Sequence, residues 1–287
     1  MLKAVGFGMP VILLVACSLD ESGLAADASI DLVVDALPET DVDAAGDSAT
    51  DTDMNDNDAP ETQFAPPQIA GLALWLRADQ GLKQTTNRVN EWDDYSGSNE
   101  PAKNAVQVVA TMQPTFSPSD VEYNNQPTVS FAAATNQFLA TGTWAAIAAQ
   151  PTTILVVGND DGTTSSQFFC DGATQRNAIF KTSTVYGLFA GSSLYSPPLP
   201  TGIPAVIVAS FSGATSTMYV NAMTPKATGP AGTQGIDAFH VGSSSVGNSS
   251  LNGKIAEVVV YTHTLSSSEL NSLLLYAASR YNITLGP

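Results

Sequence analysis

From Gly71 onward, short runs of Val, Ile, Leu, Phe, Tyr and Thr alternate with clusters of Gly, Pro, Ser and Asn. One of them, Ala205-Val206-Ile207-Val208-Ala209-Ser210-Phe211, is apolar on nearly every position. Runs this short, cut off by turn formers, read as strands rather than helices. A strand apolar on both faces must be covered on both sides, which suits an inner strand of a two-sheet sandwich. Further strands are predicted at Leu72–Leu76, Thr128–Phe131, Thr153–Gly158, Gln167–Cys170, Ala178–Lys181, Tyr186–Ala190, Thr217–Val220, Phe239–Val241 and Ile255–Tyr261. One helix is predicted near the end. Ser266 to Ser268 can cap it, Glu269 supplies acid to its first turn, and Leu270, Leu273, Leu274, Ala277 and Ala278 recur at helical spacing. The fold class is therefore all-β, an antiparallel β-sandwich with a short C-terminal helix.

The first residues have a different character. Lys3 precedes a short apolar run that ends in Leu14-Val15-Ala16-Cys17. The run is shorter than the roughly 20 apolar residues a membrane-spanning helix needs. It resembles the signal and lipobox of bacterial lipoproteins. That resemblance implies cleavage after residue 16 and lipidation of Cys17, which would anchor the mature chain to a membrane surface. Ser18, where some bacteria place Asp to retain lipoproteins at the inner membrane, implies export to the outer membrane of the cell envelope.

Charge divides the chain further. Ser18 to Gln63 holds fourteen of the 27 acidic residues and no Lys or Arg. From Phe64 to the end there are thirteen acidic and nine basic residues, so the net −17 is mostly carried by the linker. A segment so acidic, with little to bury, is expected to be disordered and extended. Its run Asp51 to Asp58 lacks the Gly and Glu of a calcium loop, because Asp56 and Thr62 occupy those positions. The predicted organisation is a signal peptide at 1–16, a lipidated Cys and linker at 17–65, and one domain at 66–287. The domain has no basic stretch, which speaks against a nucleic-acid partner. With Cys17 lipidated, Cys170 has no disulfide partner, and it reads as a small buried hydrophobe.

Four motifs, in order, carry a resemblance to a family. Gly71-Leu72-Ala73-Leu74-Trp75-Leu76-Arg77-Ala78-Asp79 is similar to the opening strand of concanavalin A-like lectin/glucanase domains of the laminin G-like type. Trp92-Asp93-Asp94-Tyr95-Ser96-Gly97 resembles their early Trp-x-Asp-x-Ser-Gly turn. Met218-Tyr219-Val220-Asn221 resembles a strand that usually ends in Val-Asn-Gly, with Ala222 in place of the glycine. Gly253 to Tyr261, followed by Leu265-Ser266, resembles the closing strand and the helix after it. The resemblance spans Ile69 to Leu285 and implies a jelly roll.

What it implies about function is a ligand at the sandwich rim, most often a carbohydrate. Sugar rings lay their C–H faces on exposed aromatics, and Trp92, Tyr95, Trp144 and Tyr195 fall in or beside loop-like stretches. Tyr195 sits in Ser192 to Pro200, a segment whose prolines cannot join a central strand. The resemblance also implies calcium, for which Asp93, Asp94, Asp160, Asp161 and Asp171 are the candidate ligands. The alternative for these acids is local: an Asx bond from Asp94, and a hairpin turn at Asp160-Asp161-Gly162. Glycosidases usually need two carboxylates across the sugar bond, and no Glu-x-Asp-x-(x)-Glu run occurs. Glu257 is a lone acid among aliphatic residues and reads as a paired structural group. The expected function is a surface-anchored, non-catalytic binding or adhesion module. A polysaccharide-active enzyme and a structural or protein-binding module are the alternatives.

Overall fold

A computed structural model describes residues 64–245 and 249–287. The signal-like segment, Cys17, the acidic linker and its Asp51–Asp58 run lie outside the described residues.

In chain order the strands are β1 (Leu72–Arg77), β2 (Leu82–Thr85), β3 (Arg88–Trp92), β4 (Ala105–Val106), β5 (Thr115–Asp120) and β6 (Gln126–Phe131). There follow β7 (Leu139–Ala140), β8 (Thr152–Asn159), β9 (Gln167–Gly172), β10 (Ala178–Thr182), β11 (Val185–Phe189) and β12 (Ser193–Tyr195). The last five are β13 (Ala205–Phe211), β14 (Ser216–Val220), β15 (Ala227–Gly229), β16 (Phe239–Val241) and β17 (Gly253–Tyr261). Helix α1 covers Ser267–Tyr281. All ten strands expected from the sequence are present. The seven others are short, polar or at edges, and carry too little apolar pattern to be read in advance.

Every strand pairing is antiparallel. One layer runs β15-β14-β13-β8-β17-β1, with β6 continuing beside the start of β17. The other runs β2-β3-β4-β7-β16-β9-β10-β11-β12. The hairpin of β5 and β6 joins them, since Thr115 also pairs with Arg88 of β3. This is the jelly-roll sandwich expected, nearly closed on itself.

Alternation along each strand places its two faces in different cores. In β8, Ile154 and Val156 point between the layers, into the same buried cluster as Phe169, Ile179, Leu188 and Val241. Leu155 and Val157 point the other way, under α1. That is why β8 and β13 are apolar on both faces: one layer is covered by the second sheet and by the helix. Ser266 caps α1, its hydroxyl accepting from Glu269 N while Glu269 accepts from Ser266 N. Leu273, Leu274, Tyr276, Ala277 and Tyr281 form the buried face of the helix.

Cys170 is fully buried in β9, and burial pushes its thiol well above the ordinary range. It has the inert character expected of a structural cysteine.

Candidate functional site

The β2–β3 hairpin closes through Thr86 and Asn87, both at positive φ (52° and 63°), the geometry of a two-residue turn that matches strand twist. Lys83 of β2 then stands opposite Glu91 of β3. Residues two apart on a strand share a face, so Glu91 and Asp93 project together to the outside while Trp92 turns into the core. Lys83 Nζ lies 2.9 Å from Glu91 Oε1 and 3.0 Å from Asp93 Oδ1. Asn104 Nδ2 donates to the same two oxygens, 2.9 Å from each. The hydrogen bond from Lys83, helped by that from Asn104, holds the Glu91 carboxyl below its ordinary range.

Beyond β3 the chain turns on Asp94. Its Oδ1 accepts from Trp75 N (2.8 Å) and Ser96 N (2.9 Å), and its Oδ2 from Ser96 Oγ (2.6 Å) and Ser98 Oγ (2.9 Å). The turn is stitched to β1 a second time where Tyr95 N donates to Trp75 O (2.8 Å). The Tyr95 ring then lies on Gly81, where a Cβ would stand 2.5 Å from Tyr95 Cε2. Gly81 also adopts φ +70°, so both conformation and space demand glycine there. Tyr95 is 44% exposed.

These parts surround a cavity of about 440 Å³, walled by Lys83, Asp93, Tyr95, Glu100 and Asn104 among others. It combines an exposed aromatic face with carboxylate acceptors and ammonium and amide donors. Such a site can hold a polyhydroxylated ring by stacking and by hydrogen bonds to its hydroxyls.

Of the four aromatics expected at the rim, Tyr95 and Tyr195 are exposed, but they stand in different places. Tyr195 belongs to β12, an edge strand, not to a loop as the prolines after it suggest. Its ring is edge-on to Phe180, which stacks on Phe168. Trp92 and Trp144 do not offer platforms. Trp92 is fully buried and its Nε1 donates to Arg77 O (3.1 Å). Trp144 is 5% exposed, with Nε1 on Thr141 Oγ1 (3.1 Å) and Lys103 Nζ 5.0 Å from its ring centroid. Each indole is held inside because its one polar atom finds an acceptor there.

The five candidate calcium ligands do not converge. Asp93 and Asp94 sit at the Tyr95 cavity, where Asp94 makes the Asx bond considered as the alternative. Asp160 is buried against Lys181 (Oδ1 to Nζ, 3.1 Å) and accepts Gly162 N (2.7 Å). Asp161 accepts from Thr163, Gln167 and Asn252, and these hydrogen bonds outweigh burial and hold it well below the ordinary carboxylate range. Asp171 is fully buried and paired with Arg176 (2.6 Å). Among the described residues, no three His, Cys, Asp or Glu side chains gather around one position.

Lys83 and Asn104 were not singled out in the sequence. The only early sign was Thr-Asn between two short polar runs, a weaker hairpin signal than Asn-Gly.

Glu257 behaves as a structural group. It is fully buried, its Oε1 accepts from Trp75 Nε1 (2.5 Å) and Tyr276 OH (3.0 Å), and its Oε2 accepts from Tyr281 OH (2.9 Å).

Comparison with known proteins adds the following. A search of curated proteins finds no match. Among solved structures, Trypanosoma rangeli sialidase bound to the inhibitor DANA aligns with a TM-score of 0.48 and 11% identity, over 72% of this chain and 33% of that one. Domain 4 of AbnA, a GH43 extracellular arabinanase from Geobacillus stearothermophilus in complex with arabinotriose, aligns with a TM-score of 0.46 and 13% identity. That alignment covers 71% of this chain and 98% of that domain. The chain thus spans about a third of the length of the sialidase it matches. At these identities the likeness concerns the fold alone. The laminin G-like model of the Concanavalin A-like lectin/glucanases superfamily matches residues 120–271, more than half of the 287 residues, and the chain belongs to that family.

Proposed function

We propose that this protein is a lipid-anchored component of the bacterial cell envelope whose domain binds carbohydrate, without cleaving it, in the Tyr95 cavity. The observation that carries the reading is the Tyr95 ring, exposed and backed by Gly81, beside Lys83, Asp93 and Asn104. An aromatic face next to paired donors and acceptors suits a pyranose better than a flat protein surface.

Two features support binding over catalysis. A general acid for glycoside cleavage needs a carboxyl raised toward neutrality. Glu91, the carboxylate next to Asp93, is held in the opposite direction by Lys83. Glu257, the one acid of the closing strand, is raised by burial, but it is fully buried with its oxygens committed to three donors, out of reach of a substrate. Support for anchoring comes from the sequence Leu14-Val15-Ala16-Cys17 and the acidic tether after it.

A glycan array probed with the full-length protein and with Tyr95→Ala tests the reading. Glycan spots bound by the wild type and lost in a folded Tyr95→Ala are the expected result. Signal that is equal for both proteins, or absent for the wild type, overturns it.

A further inference from the structure

A second cavity, of about 350 Å³, lies between Phe64 and the last turns of α1. Both charged residues in its wall are arginines, Arg77 from β1 and Arg280 from α1. The domain carries more acids than bases, so a wholly cationic wall is not a product of composition.

The two guanidinium groups are held in place. Asp79, outside the wall, takes Arg77 Nε on Oδ1 (2.6 Å) and Arg280 Nη2 on Oδ2 (2.8 Å). Asp79 gives one carboxylate for two permanent cations, and Glu257, which also feels Arg280, is pushed toward its neutral form by burial, so the pair keeps an excess positive charge. Arg77 also lies 4.9 Å over the Trp75 ring, and Arg280 lies 5.5 Å from the Tyr281 ring. Their side chains are only 14% and 20% exposed. Preordered guanidinium groups with little water around them make strong bonds to planar oxyanions. Glu257, deeper in the same region, bonds to Trp75, Tyr276 and Tyr281 rather than to either arginine. The remaining wall supplies a ring surface: Phe64 and Tyr276 meet edge to face, 6.0 Å between centroids, with Gln126 and Ser279 beside them.

We infer that this cavity is a second ligand site, separate from the Tyr95 cavity, and that it takes a carboxylate-bearing ring compound such as a uronic acid. The carboxylate sits against Arg77 and Arg280, and the apolar face of the ring against Phe64 and Tyr276. Asp79 is a positioning residue that keeps both forks aimed.

Calorimetric titration of the full-length protein with glucuronate, and with glucose as the neutral analogue, tests this at low ionic strength. Glucuronate is expected to bind at least about tenfold tighter than glucose, and Arg77→Gln and Arg280→Gln each to lose about tenfold. Arg280→Lys keeps the charge without the fork and is expected to fall between. Loss of glucuronate binding in Arg77→Gln and Arg280→Gln, both outside the wall of the Tyr95 cavity, separates this site from the first. Should the Gln variants fail to fold, the wild type provides a direct readout. Glucuronate is expected to slow phenylglyoxal modification of Arg77 and Arg280, followed by peptide mass spectrometry. Equal affinity for glucose and glucuronate, or unprotected arginines at saturating glucuronate, overturns the inference.

Discussion

The indole N–H of Trp75 donates to Glu257 Oε1 across 2.5 Å, joining β1 to β17 from the side that faces α1. Tyr276 and Tyr281 reach the same carboxylate from the helix, so one buried acid ties two strands and the helix together. Burial raises the Glu257 pKa against the hydrogen bonds that lower it.

The sign of that shift makes a prediction. A carboxyl whose folded pKa is raised keeps its proton in the native state after the unfolded chain has lost it. Its contribution to stability is full below the ordinary value near 4.5 and is lost as pH rises through the folded value. Glu257→Gln should therefore gain on the wild type as pH rises, in urea unfolding at pH 4 and pH 8. Glu257→Ala should lose about 1–3 kcal/mol for each donor left without an acceptor. A constant gap between wild type and Gln across this range would show that Glu257 does not titrate with folding.

Trp92 and Tyr95 are three residues apart and should respond in opposite ways to the same change. Tyr95→Ala should leave circular dichroism and melting unchanged and weaken sugar binding by about 1–3 kcal/mol. Trp92→Ala empties a fully buried site and should cost about 3–5 kcal/mol of stability. A stable Trp92→Ala protein would contradict the packing described for β3.

Lys181 and Asp160 form an ion pair with both side chains fully buried, and Lys181 also donates to Thr163 O. Removing one partner strands the other charge, so Lys181→Met should destabilise the domain by about 3–5 kcal/mol. The double variant Lys181→Met, Asp160→Leu should recover much of that loss, because a packed apolar pair carries no desolvation cost. Denaturant midpoints of the three proteins decide it, and a double variant as unstable as the single one refutes the account.

The anchor is tested in cells. Cys17→Ser should move the protein from the membrane fraction to the soluble fraction or block its export. A variant that sediments with membranes as the wild type does removes the lipid-anchor proposal.

The strands and helix were legible in the amino-acid order because local pattern decides them. Ala205 to Phe211 is apolar on both faces, and such a strand can be stable only between two covering layers. Ser266 and Glu269 announce the helix by satisfying its free N–H groups before any tertiary contact forms. The acid-rich composition of the linker and the Leu-Val-Ala-Cys junction are likewise properties of the chain alone. The cavity was not legible in this way. Tyr95 and Asp93 are visible as rim candidates, but Trp92, just before Asp93, reads as equally exposed. Only strand alternation and the acceptor at Arg77 O decide that its indole turns inward. Lys83, Tyr95 and Asn104 carry no shared local signal. They meet because the β2–β3 hairpin sets Lys83 opposite Glu91 and because Asp94 bonds back to Trp75 of β1, nineteen residues earlier, a contact that the order of neighbouring residues does not announce. The same holds for Arg77 and Arg280, which share Asp79 although Asp79 and Arg280 stand 201 positions apart in sequence. Elements follow from periodicity, which is local, whereas the two cavities follow from pairing and packing, which fix side-chain neighbours only once the sandwich has closed.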